Sequence, residues 1–122
     1  MQRVAKVTSA DVTRIVRRDF AISDQHAAFT LLDRVRHWQG RPQPRVHAAA
    51  LKVSYGDLTK LQYWVDRANL DPRDVLSAAE YPLLFTRSGD QLSDTERESI
   101  YDADWEQYQR WFTRDSSSES SS

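Results

Sequence analysis

The fold of this chain is decided by residues 45–82, RVHAAALKVSYGDLTKLQYWVDRANLDPRDVLSAAEYP. Within this stretch, apolar residues recur every three or four positions in three successive segments, a spacing typical of helices that bury one face. The apolar positions are Val46, Ala49, Ala50 and Val53, then Leu58, Leu61, Val65 and Ala68, then Val75, Leu76 and Ala79. The pattern predicts three consecutive helices.

Short turns separate these three helices. Gly56 tolerates the left-handed conformation that ends many helices, and Asp57 can accept hydrogen bonds from the free amides of the next helix. Asp71 can cap the next helix in the same way as Asp57. Pro72 then fits the first turn of that helix, where a proline loses no hydrogen bond. The third helix should end before Pro82, since the residue before a proline is disfavoured in helical geometry. Connections this short predict three helices packed together at the centre of the fold.

The same stretch, taken with TLLDRVRHW at residues 30–38, resembles a family of small bacterial helical proteins with no assigned activity. Its members share an LLD-containing helix, an arginine-led helix that ends in a Gly-Asp turn, and a closing RDVLxxAEYP. Here these motifs are residues 31–33, Arg45, Gly56-Asp57 and residues 73–82. The resemblance covers about residues 12–82; it fails at Pro72, where tyrosine is usual, and after Pro82, where many members end. It implies a bacterial, cytoplasmic, all-helical domain and brings no functional residues.

Further helices flank the central stretch. One is expected from a cap at Thr8 or Ser9 to Phe20, and another from residue 24 to about residue 38. A last helix should run from residue 94 to about residue 113, because Ser93 and Glu96 have the spacing of a capping box. The short apolar run at residues 83–85 is expected to lie against the core. We therefore predict an all-α fold: residues 1–114 form a single compact bundle of about five helices, and the serine-rich residues 115–122 form a disordered tail.

Composition excludes several classes of site. The chain has 122 residues and no cysteine, so disulfides, thiolate zinc sites and cysteine nucleophiles are absent. No apolar run is long enough for a signal peptide or a membrane span, which favours a cytoplasmic protein without a membrane partner. The three histidines, His26, His37 and His47, lack the spacing of metal ligands. Neither a nucleophile elbow nor a phosphate-binding glycine loop occurs, and we expect no enzyme activity, no cofactor and no small-molecule substrate.

Three carboxylates could meet in a cleft and act as acid and base: Asp33, Asp74 and Glu80. Pairing with nearby arginines is the preferred interpretation, with Arg73 beside Asp74 and with Arg34 and Arg36 beside Asp33.

Charge is unevenly distributed along the chain. Residues 1–60 carry eleven Lys/Arg and five Asp/Glu, a net of +6, whereas residues 61–122 carry six and thirteen, a net of −7. This asymmetry indicates either a basic face for nucleic acid or two halves that attract each other when folded, and we favour the second explanation. The arginines available for a nucleic-acid face are Arg14, Arg17, Arg18, Arg34, Arg36 and Arg41. Those of the first helix are otherwise expected to lie on its solvated side.

Residues 45–69 also have the outline of a DNA-binding helix-turn-helix. Lys52 stands where that motif needs a small residue and Asp57 where it needs an apolar one, and an aspartate at the start of a recognition helix would repel phosphate. Specific DNA binding is therefore not favoured.

The last helix has an aromatic face. Tyr101, Trp105, Tyr108 and Phe112 recur at intervals of four, three and four, flanked by Ile100 and Trp111; Glu98, Asp102, Asp104 and Glu106 are expected opposite. One interpretation is that this face completes the core. The other is that Trp105, Tyr108, Trp111 and Phe112 stay partly exposed and anchor a partner, since tryptophan and tyrosine dominate interface hot spots.

From these patterns the leading hypothesis is a non-enzymatic protein-interaction module that binds an unidentified protein or a second copy of itself. The first alternative is a nucleic-acid-associated protein that uses the basic N-terminal half. A further alternative is an immunity-type protein that blocks a toxin.

Overall fold

A computed structural model of the chain describes residues 6–37, 40, 43–87 and 91–114. In these residues there are seven helices and no strand: α1 Ser9–Asp19, α2 Ile22–Leu32, α3 Pro44–Ser54, α4 Leu58–Leu70, α5 Pro72–Glu80, α6 Pro82–Thr86 and α7 Asp94–Thr113. The all-α prediction is confirmed. The prediction of about five helices falls short of the seven in the described residues, and one of the additional helices is α6, which begins at Pro82. The tail predicted for residues 115–122 lies outside the described residues.

Helix α3 lies at the centre of the bundle, as the sequence predicts for the 45–82 stretch. It packs against α1, α4 and α5, and α4 and α5 also pack against each other. Its buried residues are Val46, Ala48, Ala49, Ala50, Leu51 and Ser54. Three consecutive alanines on a helix surrounded by others let the neighbouring backbones approach closely, because a methyl group occupies little space.

The helix starts follow the predicted capping residues. Thr8, Asp57, Asp71 and Ser93 each accept a backbone N–H from the helix that they precede. Thr8 and Ser93 form complete capping boxes, which satisfy two otherwise free backbone donors at each site. Of the two residues proposed to cap α1, Thr8 has that role.

Helix α2 differs from its prediction at both ends. It begins two residues earlier, after Ala21, which provides no side-chain cap, and it ends at Leu32 instead of continuing to residue 38. Asn69 of α4 explains the early end: its side chain accepts the N–H of Arg36 at 2.9 Å and donates to the carbonyl of Arg34 at 2.8 Å. After α2 the chain makes turns, in which Arg34 and Val35 donate to the carbonyls of Leu31 and Leu32, and the bonds to Asn69 hold this segment against α4. Trp38, which was predicted at the end of this helix, lies outside the described residues.

The turn between α3 and α4 requires glycine for two reasons. Gly56 has a φ of 75°, in the left-handed region, and its Cα faces the end of α1 so closely that a Cβ atom would lie 2.6 Å from the carbonyl oxygen of Asp19. The role predicted for Gly56 is confirmed. Tyr55 precedes it with a φ of 52°, a second left-handed residue that was not predicted.

Each of the helices α1, α2, α3, α4 and α5 contributes buried residues to the apolar core. Trp111 and Phe112 pack against this core from the end of α7. Within the described part of the chain, no helix is both long enough and apolar enough to cross a membrane.

Candidate interaction surface

Helix α6 is held in place by a buried carboxylate of α7. The side chain of Asp104 is fully buried, and its two oxygens accept the backbone N–H groups of Leu83 at 2.9 Å and Leu84 at 3.0 Å. These are amides of the first turn of α6, which have no partner within their own helix. Asp104 was predicted on the solvent side of α7. It lies on the inward face instead, four residues before the buried Tyr108.

Two large apolar side chains of α6, Leu83 and Phe85, are exposed. None of its residues is buried; Leu83 is 50% exposed and Phe85 is 53% exposed. The expectation that residues 83–85 lie against the core is therefore wrong for these two side chains. The physical reason is that Pro82 restarts a helix and Asp104 fixes its first turn, so this short element lies along α7 rather than entering the core.

A cleft of about 320 Å³ lies beside α6. It is lined by Ser77, Tyr81, Leu84, Phe85, Arg87, Leu92, Arg97 and Tyr101. Tyr81 and Tyr101 meet edge to face at 5.6 Å between ring centroids, which joins the end of α5 to α7. The described part of the lining therefore combines apolar and aromatic side chains with two guanidinium groups and no carboxylate.

The Arg45–Glu80 ion pair stabilises the end of α5 next to this cleft. Glu80 is buried, and Arg45 donates to its two oxygens at 2.6 Å and 2.8 Å. The Glu80 partner raises the pKa of Arg45. Burial raises the pKa of the nearby Tyr108 hydroxyl above its ordinary value, and the negative charge of Glu80 adds to that effect. Because both oxygens of Glu80 accept from Arg45, this carboxylate orders the fold and is not a free base.

The three carboxylates weighed for catalysis do not meet. Glu80 pairs with Arg45, and Asp74 pairs with Arg67 at 2.7 Å rather than with its neighbour Arg73. Asp33 is exposed at the end of α2. Arg73 binds Asp71 instead, which supports the capping residue at the start of α5. Pairing with arginine is confirmed for Asp74 and Glu80, although the partner of Asp74 differs from the one expected, because the partners depend on how α3, α4 and α5 pack. The pairing expected for Asp33 with Arg34 or Arg36 is not observed among the described residues.

The four aromatic residues proposed as partner anchors separate into two groups. Tyr108, Trp111 and Phe112 form one cluster, with ring centroids 5.5 Å, 5.9 Å and 6.3 Å apart. Tyr108 is buried, and the other two pack against the core. Trp105 is half-buried and lies in a shallow depression with Glu106, Gln109 and Arg110. Most of the aromatic face therefore joins α7 to the bundle, and only Trp105 stands apart from that cluster.

Two arginines of α1 hold the other end of α7. Arg18 is buried and donates to the carbonyls of Trp111 and Arg114, both at 2.8 Å, while Arg14 donates to that of Phe112 at 2.9 Å. The two guanidinium groups also lie 5.2 Å from the ring centroids of Trp111 and Phe112. The prediction of a solvated helix face is wrong for Arg18, whose side chain is buried while it donates to the last carbonyls of α7; Arg14 is exposed as predicted, although it also donates to one of these carbonyls.

The other arginines considered for nucleic acid are Arg17, Arg34, Arg36 and Arg41. Arg17, Arg34 and Arg36 are exposed, and Arg41 lies outside the described residues. The Arg45–Glu80 pair shows the expected attraction between a basic first half and an acidic second half of the chain. In the Asp19–Arg114 pair, at 2.8 Å, the acidic residue lies in the first half and the basic residue in the second.

The histidines do not form a metal site with other residues. Among the residues that the structure describes, no group of three His, Cys, Asp or Glu side chains is placed to hold a metal ion. His47 of α3 is largely buried, and this burial lowers its pKa.

Sequence reasoning missed the residues that build the cleft. Asp104 was assigned to the wrong face although its spacing of three and four from Tyr101 and Tyr108 places it on theirs. Pro82 was recognised as the end of α5 but not as the first residue of another helix, a position that proline favours.

Comparison with known proteins adds no relative. No model of a known protein family, no curated protein and no solved structure matches the chain.

Proposed function

We propose that this protein is a non-enzymatic protein-interaction module that binds a short acidic segment of a partner protein on α6 and in the adjacent cleft. The observation that carries the proposal is the geometry of α6. Two large apolar side chains, Leu83 and Phe85, stay half-exposed on a helix whose position is fixed by the buried carboxylate of Asp104. Burying a carboxylate is costly, and here it orients a surface helix instead of filling the core.

The energetics require the cleft as well as the helix. Full burial of a leucine or phenylalanine side chain is worth roughly 1.5–3 kcal/mol, so covering the exposed halves of Leu83 and Phe85 contributes about 2 kcal/mol together. A micromolar complex needs about 8 kcal/mol. A partner must therefore also place a side chain in the cleft, against Leu84, Leu92 and Tyr101.

The charge of the cleft favours an acidic partner. Arg87 and Arg97 are both in its lining, and the described residues that line it include no carboxylate. Carboxylate side chains flanking an apolar anchor would complement the Arg97 guanidinium group and increase the rate of association.

Selection from a random peptide display library on the immobilised full-length chain tests this proposal. We expect enriched peptides that combine aspartate or glutamate with a large apolar residue, and at least tenfold weaker binding to Phe85→Ser. The matched control is Leu70→Ser, which removes a 79% exposed leucine from α4 and should leave binding unchanged. If no peptide is enriched, or if the enriched peptides bind Phe85→Ser as well as the parent, the proposal is wrong.

The other hypotheses predict different outcomes. A second copy of the chain on the same surface would give a concentration-dependent mass in sedimentation equilibrium that Phe85→Ser abolishes. A nucleic-acid-associated protein would retain oligonucleotides with a steep dependence on salt. Arg14 and Arg18 already serve the end of α7, which leaves that alternative with fewer contacts than the sequence suggests. The immunity-type hypothesis remains a prediction for which no observation here selects a toxin.

A further inference from the structure

A second cavity, of about 300 Å³, lies where the C-terminal ends of α1, α3 and α7 meet. It is lined by Arg18, Asp19, Lys52, Tyr55, Trp111 and Arg114. Three of these side chains are cationic and one is a carboxylate, which gives the lining a formal charge of +2. Cationic side chains stabilise helix C-termini without any ligand, so a cation is available to a ligand only where the fold leaves its hydrogen-bond donors unused.

Most of this charge is internally paired. The Asp19 carboxylate accepts from Arg18 at 2.7 Å and 3.0 Å and from Arg114 at 2.8 Å. The remaining amino group of Arg18 donates to carbonyls at the end of α7. These contacts explain both guanidinium groups as parts of the fold.

Lys52 is different from the two arginines. Its ammonium group donates no hydrogen bond to any described residue, although the side chain is half-buried and burial lowers its pKa. Asp104 attracts it electrostatically, but both oxygens of that carboxylate accept amides of α6. A partly buried ammonium group that has no hydrogen-bond acceptor among the described residues is suited to an anion that supplies one.

Two aromatic side chains form walls of the cavity. Trp111 is held by its stacking with Arg18. Tyr55 is 81% exposed and adopts a left-handed backbone conformation with a φ of 52°, which asparagine or glycine would adopt at lower cost. Strained residues of this kind concentrate at ligand sites.

We propose that this cavity binds a small organic anion whose carboxylate or phosphate group accepts hydrogen bonds from Lys52, beside Arg114, and whose planar body lies against Tyr55 and Trp111. The ligand is an oxyanion because Lys52 offers only donors, and it is planar because both walls are aromatic rings. This site is separate from the α6 cleft and does not depend on the proposed interaction function. The sequence alone gave no sign of a small-molecule site.

Titration of the ¹⁵N-labelled full-length chain with benzoate, phenyl phosphate and benzamide tests the site. The reporter is the indole N–H signal of Trp111, assigned by its loss in Trp111→Phe. We expect saturable binding of at least one anion with a Kd on the order of 1 mM or below, and at least tenfold weaker binding of the neutral benzamide. The tighter anion identifies the head group. Absence of saturation with both anions, or equal binding of benzamide, would overturn the proposal.

Variants separate ligand binding from folding. Lys52→Met should weaken binding of the tighter anion about tenfold and keep or raise the melting temperature, because it removes a half-buried charge without a hydrogen-bond acceptor. Lys6→Met removes an exposed lysine outside the cavity and should change neither property. Tyr55→Asn should weaken binding while raising the melting temperature. Retention of parental affinity by both Lys52→Met and Tyr55→Asn contradicts the assignment.

Discussion

Replacing Gly56 by alanine should destabilise the bundle through a single close contact. The Cβ atom would lie 2.6 Å from the carbonyl oxygen of Asp19, 0.8 Å short of the 3.4 Å at which ordinary contact begins. The obstacle is backbone, so it cannot rotate away, and the side chain of Asp19 is tied to Arg18 and Arg114. The left-handed φ alone costs alanine about 1 kcal/mol. With displacement of the end of α1, we expect a total loss of about 3 kcal/mol.

The assay is urea unfolding followed by circular dichroism at the helix band. With an m-value of about 1.5 kcal/mol/M for a domain of this size, the midpoint should fall by about 2 M. Gly40→Ala is the matched control: its φ is 74°, but no atom lies within 4 Å of the added Cβ. It should lose only the conformational part, about 1 kcal/mol or 0.7 M. Equal midpoint shifts for the two variants would refute the role assigned to the Gly56–Asp19 contact.

Three further predictions concern buried polar groups. Burial lowers the pKa of His47 below its ordinary 6.5, so the unfolded chain binds the proton more tightly than the folded chain does. The free energy of unfolding should therefore fall as the pH drops below about 6.5, by at most about 1.4 kcal/mol per pH unit. In thermal melts this pH dependence should be absent in His47→Gln and present in His26→Gln. Asp104→Ala should cost about 1–3 kcal/mol in urea unfolding and speed amide exchange in α6; unchanged exchange contradicts this. Arg18→Met leaves the Asp19 carboxylate without its main partner and should lower the free energy of unfolding by about 3–5 kcal/mol in the same assay. The exposed Arg17→Met should lower it by less than about 0.5 kcal/mol. Similar losses for the two variants would contradict the role assigned to Arg18.

The elements that could be predicted from sequence are those set by local signals. Apolar periodicity and capping residues give α3, α4, α5 and α7 close to their observed bounds, because spacing and caps act within a few residues. The end of α2 could not be predicted, because it depends on Asn69, more than thirty residues away along the chain. The same limit applies to Arg18, which is indistinguishable in sequence from a solvated arginine until α7 packs against α1.

The sequence predicted the interaction surface on α7, whereas the surface proposed from the structure is α6 and the cleft beside it. The aromatic face of α7 was recognised, yet a period of residues does not tell which aromatic rings meet the core and which stay at the surface. Tyr108 proved to be buried, while the exposed apolar residues Leu83 and Phe85 belong to a short element that the sequence predicted to lie against the core. Asp104 is the cause of that difference, since one long-range carboxylate fixes α6 outside the core.

The most direct test of the proposed function is chemical-shift mapping of an enriched acidic peptide on the ¹⁵N-labelled full-length chain. We predict that the largest chemical-shift changes occur in α6 and in the first half of α7, at residues such as Leu84, Phe85 and Tyr101. Changes centred on Trp105 and the second half of α7, with α6 unaffected, would contradict binding at α6 and would indicate that the aromatic face of α7 is the docking surface.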